Sequence, residues 1–585
     1  MHVSAWRAAS SATLRRGGDA CHGGGMADGR NALRWLRWLR SPTPAACLAL
    51  YTLRAGCAWA CASAAFAPDE YWQAAEPAHR LAFGYGTEPT WEWRPDVALR
   101  SHAFVLPLAA VYRALSLLHL DAPLVVRLAP RLLFAGAAAA SDVAAGALAD
   151  AHLGGGAKCI AGDLATLASL LSWMQAYAGS RSLAGSAEAP LCALAAASFA
   201  TRRHAQGLAF AAVACAVRPT AAVAVLPAWV AYLTSARGQR ARAVQDACAA
   251  ALVTACVLVA LDSALYGRFP CFAPLAFVRF NLLSGGASAF GTHGWHWYAT
   301  SGLPQALFTL APLAAAGVRA CPLRARRRLL ALVFAPLAAL SLCAHKEVRF
   351  VQPLMPALCV LAGVGMESVA RARGGRALSS MVAAVALSNA ALALYLGSVH
   401  QSGQTRVVTD VLAPMAHAGE LPGGVHFLTA CYSSPGLAHV HAEGVAWRVL
   451  DCAPTSARPH EDDRFFEAPE RYMENEVRET GWTEEPTRAR PRAAHPTWTP
   501  CERDDCFVAP ALLSRPGADP ATTPTCALAV RCRAGELARE GTLAPQEAPA
   551  LGVCGARHRR GQCAAVAEPR RLRTSRERVQ RALRH

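Results

Sequence analysis

Of 585 residues, 54% are hydrophobic and only 17% charged, against the quarter or so charged that is usual in a soluble globular domain. The net charge of +18 comes from arginines clustered between apolar runs. That pattern serves membrane topology and argues against a nucleic-acid-binding function. Lysine occurs only at Lys158 and Lys346, so the abundance of Arg, Ala and Gly reads as a compositional bias of the source.

Residues 1–43 are polar, Gly-rich and then basic, with Arg30, Arg34, Arg37 and Arg40 just ahead of the first apolar run. This predicts a cytoplasmic N-terminal segment. The first run is long, follows a long leader and is succeeded by others, so it reads as a span and not as a signal peptide. Apolar runs then occupy 44–65, 103–120, 132–149, 159–178, 206–234, 245–267, 302–318, 329–344, 351–370 and 378–399. Each approaches the ~20 residues of helix that cross a bilayer; 187–200 is too short to count alone. Basic loops at 237–242, 319–328 and 371–376 are predicted cytoplasmic, which puts 268–301, 345–350 and everything from 400 onward on the opposite side. The orientation of 150–205 is left open.

The expected organisation is therefore a multi-span domain over 44–399 and a soluble domain over 400–585. The tail holds Cys431, Cys452, Cys501, Cys506, Cys526, Cys532, Cys554 and Cys563, as an oxidising compartment would permit, with the pairing open. Cys501 and Cys506 lack the second pair that a zinc site needs. Segment 425–432 (VHFLTACY) reads as a strand. Beyond about 480 the chain is rich in Pro, Arg and Ala without periodicity, and no element is predicted.

Three loops on the non-cytoplasmic side gather the chemistry. The first, 66–101, sets Asp69, Glu70, Glu76, Glu88, Glu92 and Asp96 among Trp72, Trp91 and Trp93, with Arg94 and Arg100 close by. Its carboxylates can take a proton from a hydroxyl acceptor and its aromatics can stack on sugars; equally, it can be an interfacial aromatic belt with solvated acids. The second, 290–304, carries His293, Trp295, His296, Trp297 and Tyr298. It can bind a phosphate or a sugar, ligate a metal, or anchor at the interface. The third is HKEVRF, 345–350. His345, Lys346 and Arg349 place positive charge where the positive-inside trend predicts little, which suits a lipid phosphate; the alternative is an ion pair with Glu347 that staples the loop. Arg218, in Arg218–Pro219–Thr220, is a charge inside an apolar stretch, a costly placement that points to function. Arg181 with Glu188 is a further candidate for a substrate site or an ion pair.

The pieces PDEYWQAAEPAHRLAFGYG, TWEWRPDVALRS, RSLAGSAE, RPTA, DSALYG, THGWHWYATSGLP and HKEVRFVQPLMP, in that order over 68–356, resemble the membrane mannosyltransferases that use dolichyl phosphate mannose (glycosyltransferase family 22). That group includes enzymes of glycosylphosphatidylinositol (GPI) anchor assembly and of N-glycan assembly. VHQSGQTRVV at 399–408, CYSSPGLAHVH at 431–441 and LDCAP at 450–454 favour the GPI branch, with an N-glycan α-mannosyltransferase as the alternative. A polytopic transporter or lipid flippase is the alternative of another class. Ser402 and Gly185 depart from the family pattern.

The resemblance implies an all-α, multi-span (GT-C-like) fold with a lumenal α/β tail domain in the endoplasmic-reticulum membrane. It also implies an inverting α-1,2-mannosyl transfer from dolichyl phosphate mannose to a GPI precursor, with no metal or other cofactor. Asp69, with Glu70 second, is the expected base. His345, Lys346 and Arg349 are expected on the donor phosphate. Glu76, Trp91, Glu92, Trp93, Arg100, Arg181, Arg218, His293, Trp295 and His296 are expected on substrate.

Overall fold

A computed structural model describes residues 34–155, 159–421, 424–454, 460–469, 471–472, 499–500, 506–513 and 525–532. Lys158, residues 1–33 of the basic leader, and Cys501, Cys554 and Cys563 lie outside them. Among the described residues the fold is mostly helical, and four segments are long and apolar enough to cross a membrane: Pro123–Leu153, Arg240–Tyr266, Tyr298–Ala320 and Val348–Ser398.

Local chemistry explains where the helices start and stop. Helix Pro44–Ala60 opens with proline in its first turn, and Thr43 Oγ1 accepts from the Ala46 N–H at 3.3 Å, a side-chain cap for an otherwise unpaired donor. The apolar run 206–234 is two helices, His204–Val217 and Ala221–Ser235. Pro219 forces its predecessor out of the helical region, and Arg218 is extended (φ −154°, ψ 125°). The run 159–178 likewise breaks at Ser172, between Ala161–Leu171 and Trp173–Tyr177. The short run at 187–200 does form a helix, Ala184–Ala200. Between the last two apolar runs, Gly374 takes φ +84° and interrupts the helical path of Met355–Ser398, a backbone conformation that favours glycine.

Two compact units divide the chain. The first comprises Met1–Cys61, Ala98–Phe104 and Pro130–Tyr395. Within it, Gly317 and Gly365 let two helices meet backbone to backbone: a Cβ on Gly317 would lie 1.8 Å from the Leu361 carbonyl oxygen, and one on Gly365 1.9 Å from that of Leu313. Several buried charges are paired. Arg54 donates to Asp142 at 2.7 and 2.5 Å and to the Ser169 carbonyl at 3.0 Å, while Ser169 Oγ donates to the same carboxylate at 2.6 Å. Arg37 and Arg40 each reach Asp163 at 2.8 Å, and Arg40 also pairs with Asp150.

The second unit comprises Ala62–Val97, Val105–Ala129 and Leu396–His585. Its core packs Tyr71 and Trp72 of the first loop against Val408, Leu412, Phe427, Leu437, Val440 and Trp447. Strands β1 (Val425–Phe427) and β2 (Trp447–Val449) pair in parallel, Val425 opposite Trp447. Helix Leu437–Val440 lies in the crossover that parallel pairing requires. The strand predicted over 425–432 is thus three residues long, and the chain turns at Thr429–Tyr432. Cys431 and Cys452 form a disulfide with Cα atoms 6.1 Å apart, a spacing normal for such a bond. Past 480, where the sequence predicts no element, β3 (Thr499–Pro500), β4 (Cys506–Leu513) and β5 (Thr525–Cys532) form an antiparallel sheet.

Candidate active site

The carboxylate loop belongs to the second unit, and the tail shapes it. Asp69 and Glu70 form the turn that leads into Tyr71–Ala75, where the Glu76 N–H bonds back five residues to the Tyr71 carbonyl. Such widened turns recur at functional sites. Glu70 is 1% exposed, and its Oε1 accepts from the Phe66 N–H at 3.0 Å, so it helps shape the turn. Asp69 is only partly buried and keeps solvent access. Of the two, Asp69 is the more exposed carboxylate.

Glu76, expected on substrate, instead ties the loop to the tail. Its Oε1 accepts from the Gly436 and Ala438 N–H groups at 3.0 and 3.1 Å, and its Oε2 accepts from Ala438 at 3.2 Å and Thr87 Oγ1 at 3.1 Å. Burial pushes its carboxyl up to about 7, against the opposing pull of those donors. The tryptophans are core residues. Trp91 and Trp93 are 3% and 6% exposed, Trp93 Nε1 donates to the Trp72 carbonyl at 3.1 Å, and Trp72 Nε1 donates to the Tyr432 and Ser434 carbonyls, both at 3.0 Å. Buried to that degree, Trp91 and Trp93 do not form an open sugar platform; Trp72 is the one packed against the tail. Glu92 is buried and accepts from Gln73 Nε2 at 3.4 Å.

Sequence reasoning missed a histidine pair in this unit. His79 Nε2 lies 2.9 Å from His441 Nδ1, which is also 3.1 Å from the Tyr85 hydroxyl. Burial, with His441 beside it, pulls His79 down to about 3. The signal was available in the imidazoles of AHRLAF and HVH, two segments of the family pattern.

The cationic loops belong to the first unit. Glu347 pairs there with His345 Nε2 at 2.7 Å and with both Nε and Nη2 of Arg349, the latter at 2.7 Å. Although burial opposes it, the Arg349 charge and these bonds hold the Glu347 carboxyl well below the usual range. Lys346 is 2% exposed. Its ammonium donates to the carbonyls of His293 at 2.9 Å and Ala344 at 3.5 Å, and to that of Cys343. Lys346 therefore locks loop 290–304 to 343–346, and the staple with Glu347 is made by Arg349 and His345. His293 stacks on Trp297 at 4.9 Å, while His296 Nδ1 lies 3.5 Å from Thr300 Oγ1. Trp295, 77% exposed, is the most exposed aromatic of this loop.

Arg181 is fully buried. It donates to the Cys61 carbonyl at 3.0 Å, and its guanidinium lies 4.3 Å from the Tyr177 ring centre. Glu188 pairs with Arg218 at 3.4 Å, whereas the sequence reading set it beside Arg181. Arg218 and Arg349 both approach the Phe350 ring, at 4.9 and 5.6 Å. Arg100 lies 5.8 Å from the Phe277 ring, and its carbonyl accepts from the Tyr266 hydroxyl at 2.7 Å. Asp262, of the same DSALYG segment, accepts from Ser101 Oγ and the His102 N–H. The Arg54–Asp142 pair was not anticipated; each charge lies within an apolar run, which is itself a sign of a buried partner.

The described residues thus form a helical bundle with membrane-length helices, buried charge pairs and polar loops. The fold is similar to that of ArnT from Cupriavidus metallidurans bound to undecaprenyl phosphate, with a TM-score of 0.52 and 14% identity over 70% of this chain and 87% of that one. The profile of the Alg9-like mannosyltransferase family matches residues 46–441, and the chain belongs to that family. It is 34% identical to GPI mannosyltransferase 3 of Yarrowia lipolytica, over 71% of this chain and 80% of that protein. Identity to GPI mannosyltransferase 3 of Drosophila melanogaster is 32%, over 70% and 73%. Identity to GPI alpha-1,2-mannosyltransferase 3 of Homo sapiens is 28%, over 70% and 73%. The chain is thus a mannosyltransferase, and the transporter or flippase alternative finds no support.

Proposed function

We propose that this enzyme transfers the third mannose of the GPI anchor, from dolichyl phosphate mannose to a mannose 2-hydroxyl of the precursor glycolipid, at the lumenal face of the endoplasmic reticulum. The observation that carries the reading is the run of relatives named GPI mannosyltransferase 3 at about 30% identity. The tail segments CYSSPGLAHVH and LDCAP, closed on each other by the Cys431–Cys452 disulfide, support it. A β-linked donor yielding an α-linkage inverts at the anomeric carbon, so one base suffices and no glycosyl-enzyme forms. Asp69 takes the proton of the acceptor hydroxyl as it attacks; Glu70, fixed by the Phe66 N–H, shapes the turn. As the glycosidic bond breaks, the lipid phosphate gains charge, and fixed cations favour that state over the ground state. Arg349 and His345 are the candidates, with Lys346 setting the loop that carries them.

The decisive test offers the purified protein radiolabelled dolichyl phosphate mannose with either a dimannosyl GPI lipid or an N-glycan lipid-linked oligosaccharide. Label that appears in the GPI lipid alone, and is released by an α-1,2-mannosidase, supports the reading. Transfer to the N-glycan lipid alone moves the enzyme to the other branch of its family.

A further inference from the structure

In the second unit, His79 of helix Glu76–Phe83 and His441, just past helix Leu437–Val440, bring two ring nitrogens together. His79 Nε2 lies 2.9 Å from His441 Nδ1, and the Tyr85 hydroxyl lies 3.1 Å from the same His441 nitrogen. The outer nitrogen of each ring faces an acceptor. His79 Nδ1 is 3.2 Å from the Tyr85 carbonyl oxygen, and His441 Nε2 is 4.0 Å from Asp121 Oδ2. A neutral imidazole carries one N–H, and the acceptor at its outer nitrogen draws the proton there. Both inner nitrogens are then lone-pair donors, and the single hydroxyl proton of Tyr85 cannot serve the two of them. An outer N–H held by a backbone carbonyl or a carboxylate, with the inner nitrogen left free, is how metal-ligating histidines are oriented. His441 also keeps a left-handed backbone (φ +51°), which a non-glycine residue holds only where its surroundings fix it, as at ligand clamps.

We propose that His79 Nε2, His441 Nδ1 and the Tyr85 hydroxyl bind a zinc ion, with water completing the tetrahedron, and that the ion fastens loop 66–101 to the tail. Zinc bonds of about 2.0–2.1 Å to nitrogen hold tetrahedral ligands about 3.3 Å apart, so the histidine pair opens by only about 0.4 Å to admit the ion. Imidazole donors suit zinc and its transition-metal neighbours, whereas magnesium and calcium seek oxygen. The carboxylates of Asp121 and Glu443 lie close enough to act on the Tyr85 hydroxyl and supply the negative potential that a divalent cation needs. His79 is fully buried, while Tyr85 and His441 are partly exposed, which leaves a side from which the ion enters. The role is a fastening one. The ligands come from segments more than 350 positions apart (|i−j| 362 and 356), the same two segments that Glu76 joins through Gly436 and Ala438.

The full chain, in nanodiscs and without a polyhistidine tag, has its free thiols alkylated, is stripped with a chelator and is then titrated with zinc chloride against a chromogenic competitor. The wild type should take up one zinc equivalent that His441→Asn lacks; asparagine tolerates the left-handed backbone and is too short to replace the ring. Asp121→Asn keeps all three ligands and loses only the carboxylate behind His441, so it should weaken that equivalent about tenfold. Cobalt(II) in the same site should give the visible absorption of a tetrahedral ion in the wild type and not in His441→Asn. Zinc should slow protease cleavage within 430–445 of the wild type, and magnesium should not. Equal zinc uptake by the wild type and folded His441→Asn overturns the proposal and leaves the pair a plain hydrogen bond between histidines. Should His441→Asn not fold, zinc affinity unchanged in Asp121→Asn overturns it instead. No sugar or lipid carrier enters the experiment, so its failure is distinct from failure of the mannosyl-transfer reading.

Discussion

Replacing Lys346 by Met separates a structural role from a phosphate-binding one. The buried ammonium donates to the carbonyls of His293 and Cys343, with Ala344 at 3.5 Å. Hydrogen bonds from a charged donor contribute about 1.5–3 kcal/mol each, and the variant leaves carbonyls unpaired. Methionine retains most of the apolar packing of the stem, so the net local loss should be about 3 kcal/mol. At about 1.4 kcal/mol per decade, opening of the 292–300 and 343–347 segments becomes roughly a hundredfold more frequent. Amide hydrogen exchange by mass spectrometry should show this acceleration confined to those two segments. Transfer should fall because loop 345–350 is no longer held, and Lys346→Arg should not restore it, since a planar fork does not fit a site shaped for a compact ammonium. Unchanged exchange in Lys346→Met, together with a rate deficit overcome by raising donor concentration, would refute the reasoning and return Lys346 to the phosphate.

Other outcomes follow from the second unit. Glu76→Ala leaves the Gly436 and Ala438 N–H groups without their acceptor and should cost about 3 kcal/mol, read as earlier thermal inactivation and as protease cleavage within 430–440. The same carboxyl sets a pH dependence. With its pKa raised from 4.5 to about 7, the folded state binds more protons than the unfolded one across that window, so its contribution to stability falls as pH rises through it. His79, lowered from 6.5 to about 3, acts in the opposite sense, adding stability as pH rises from about 3 to 6.5. The two offset each other between about pH 4.5 and 6.5. Of these two groups only Glu76 declines above that window, so inactivation midpoints should drop between pH 6.5 and 7.5 in the wild type, and by less in Glu76→Gln. Reduction of Cys431–Cys452, which spans 21 residues, should cost ~3 kcal/mol by loop entropy and lower the inactivation temperature of the wild type but not of a Cys431→Ala/Cys452→Ala double variant.

Much of the bundle was legible because apolar length and proline obey local rules. Arg218–Pro219 marks a helix break through backbone sterics alone, and Thr43–Pro44 marks a start. The 66–101 loop was recognisable by its carboxylates and tryptophans, but not its environment. Glu76 finds its donors 360 and 362 positions away at Gly436 and Ala438, and no local pattern encodes such a pairing. For the same reason Trp91 and Trp93 read equally as belt or sugar platform until the fold buries them. The cationic loop was visible as charge, but which cation pairs with Glu347 depends on side-chain reach: Arg349 and His345 span it, while the Lys346 stem points to backbone carbonyls. The sequence reading set Glu188 beside Arg181, and only three-dimensional packing brings Arg218 to it.

The account depends most on Asp69 as the group that deprotonates the acceptor. Asp69→Asn and Glu70→Gln should be purified alongside the wild type and assayed for single-turnover transfer from dolichyl phosphate mannose to a dimannosyl GPI lipid. Loss of a general base costs about 10²–10⁴ in rate. Asp69→Asn should fall by that factor with donor binding retained, because asparagine keeps the shape and loses the basicity. Glu70→Gln should retain more activity, its deficit tracking the loosened turn at Phe66. Near-wild-type turnover in a folded Asp69→Asn enzyme would contradict the account.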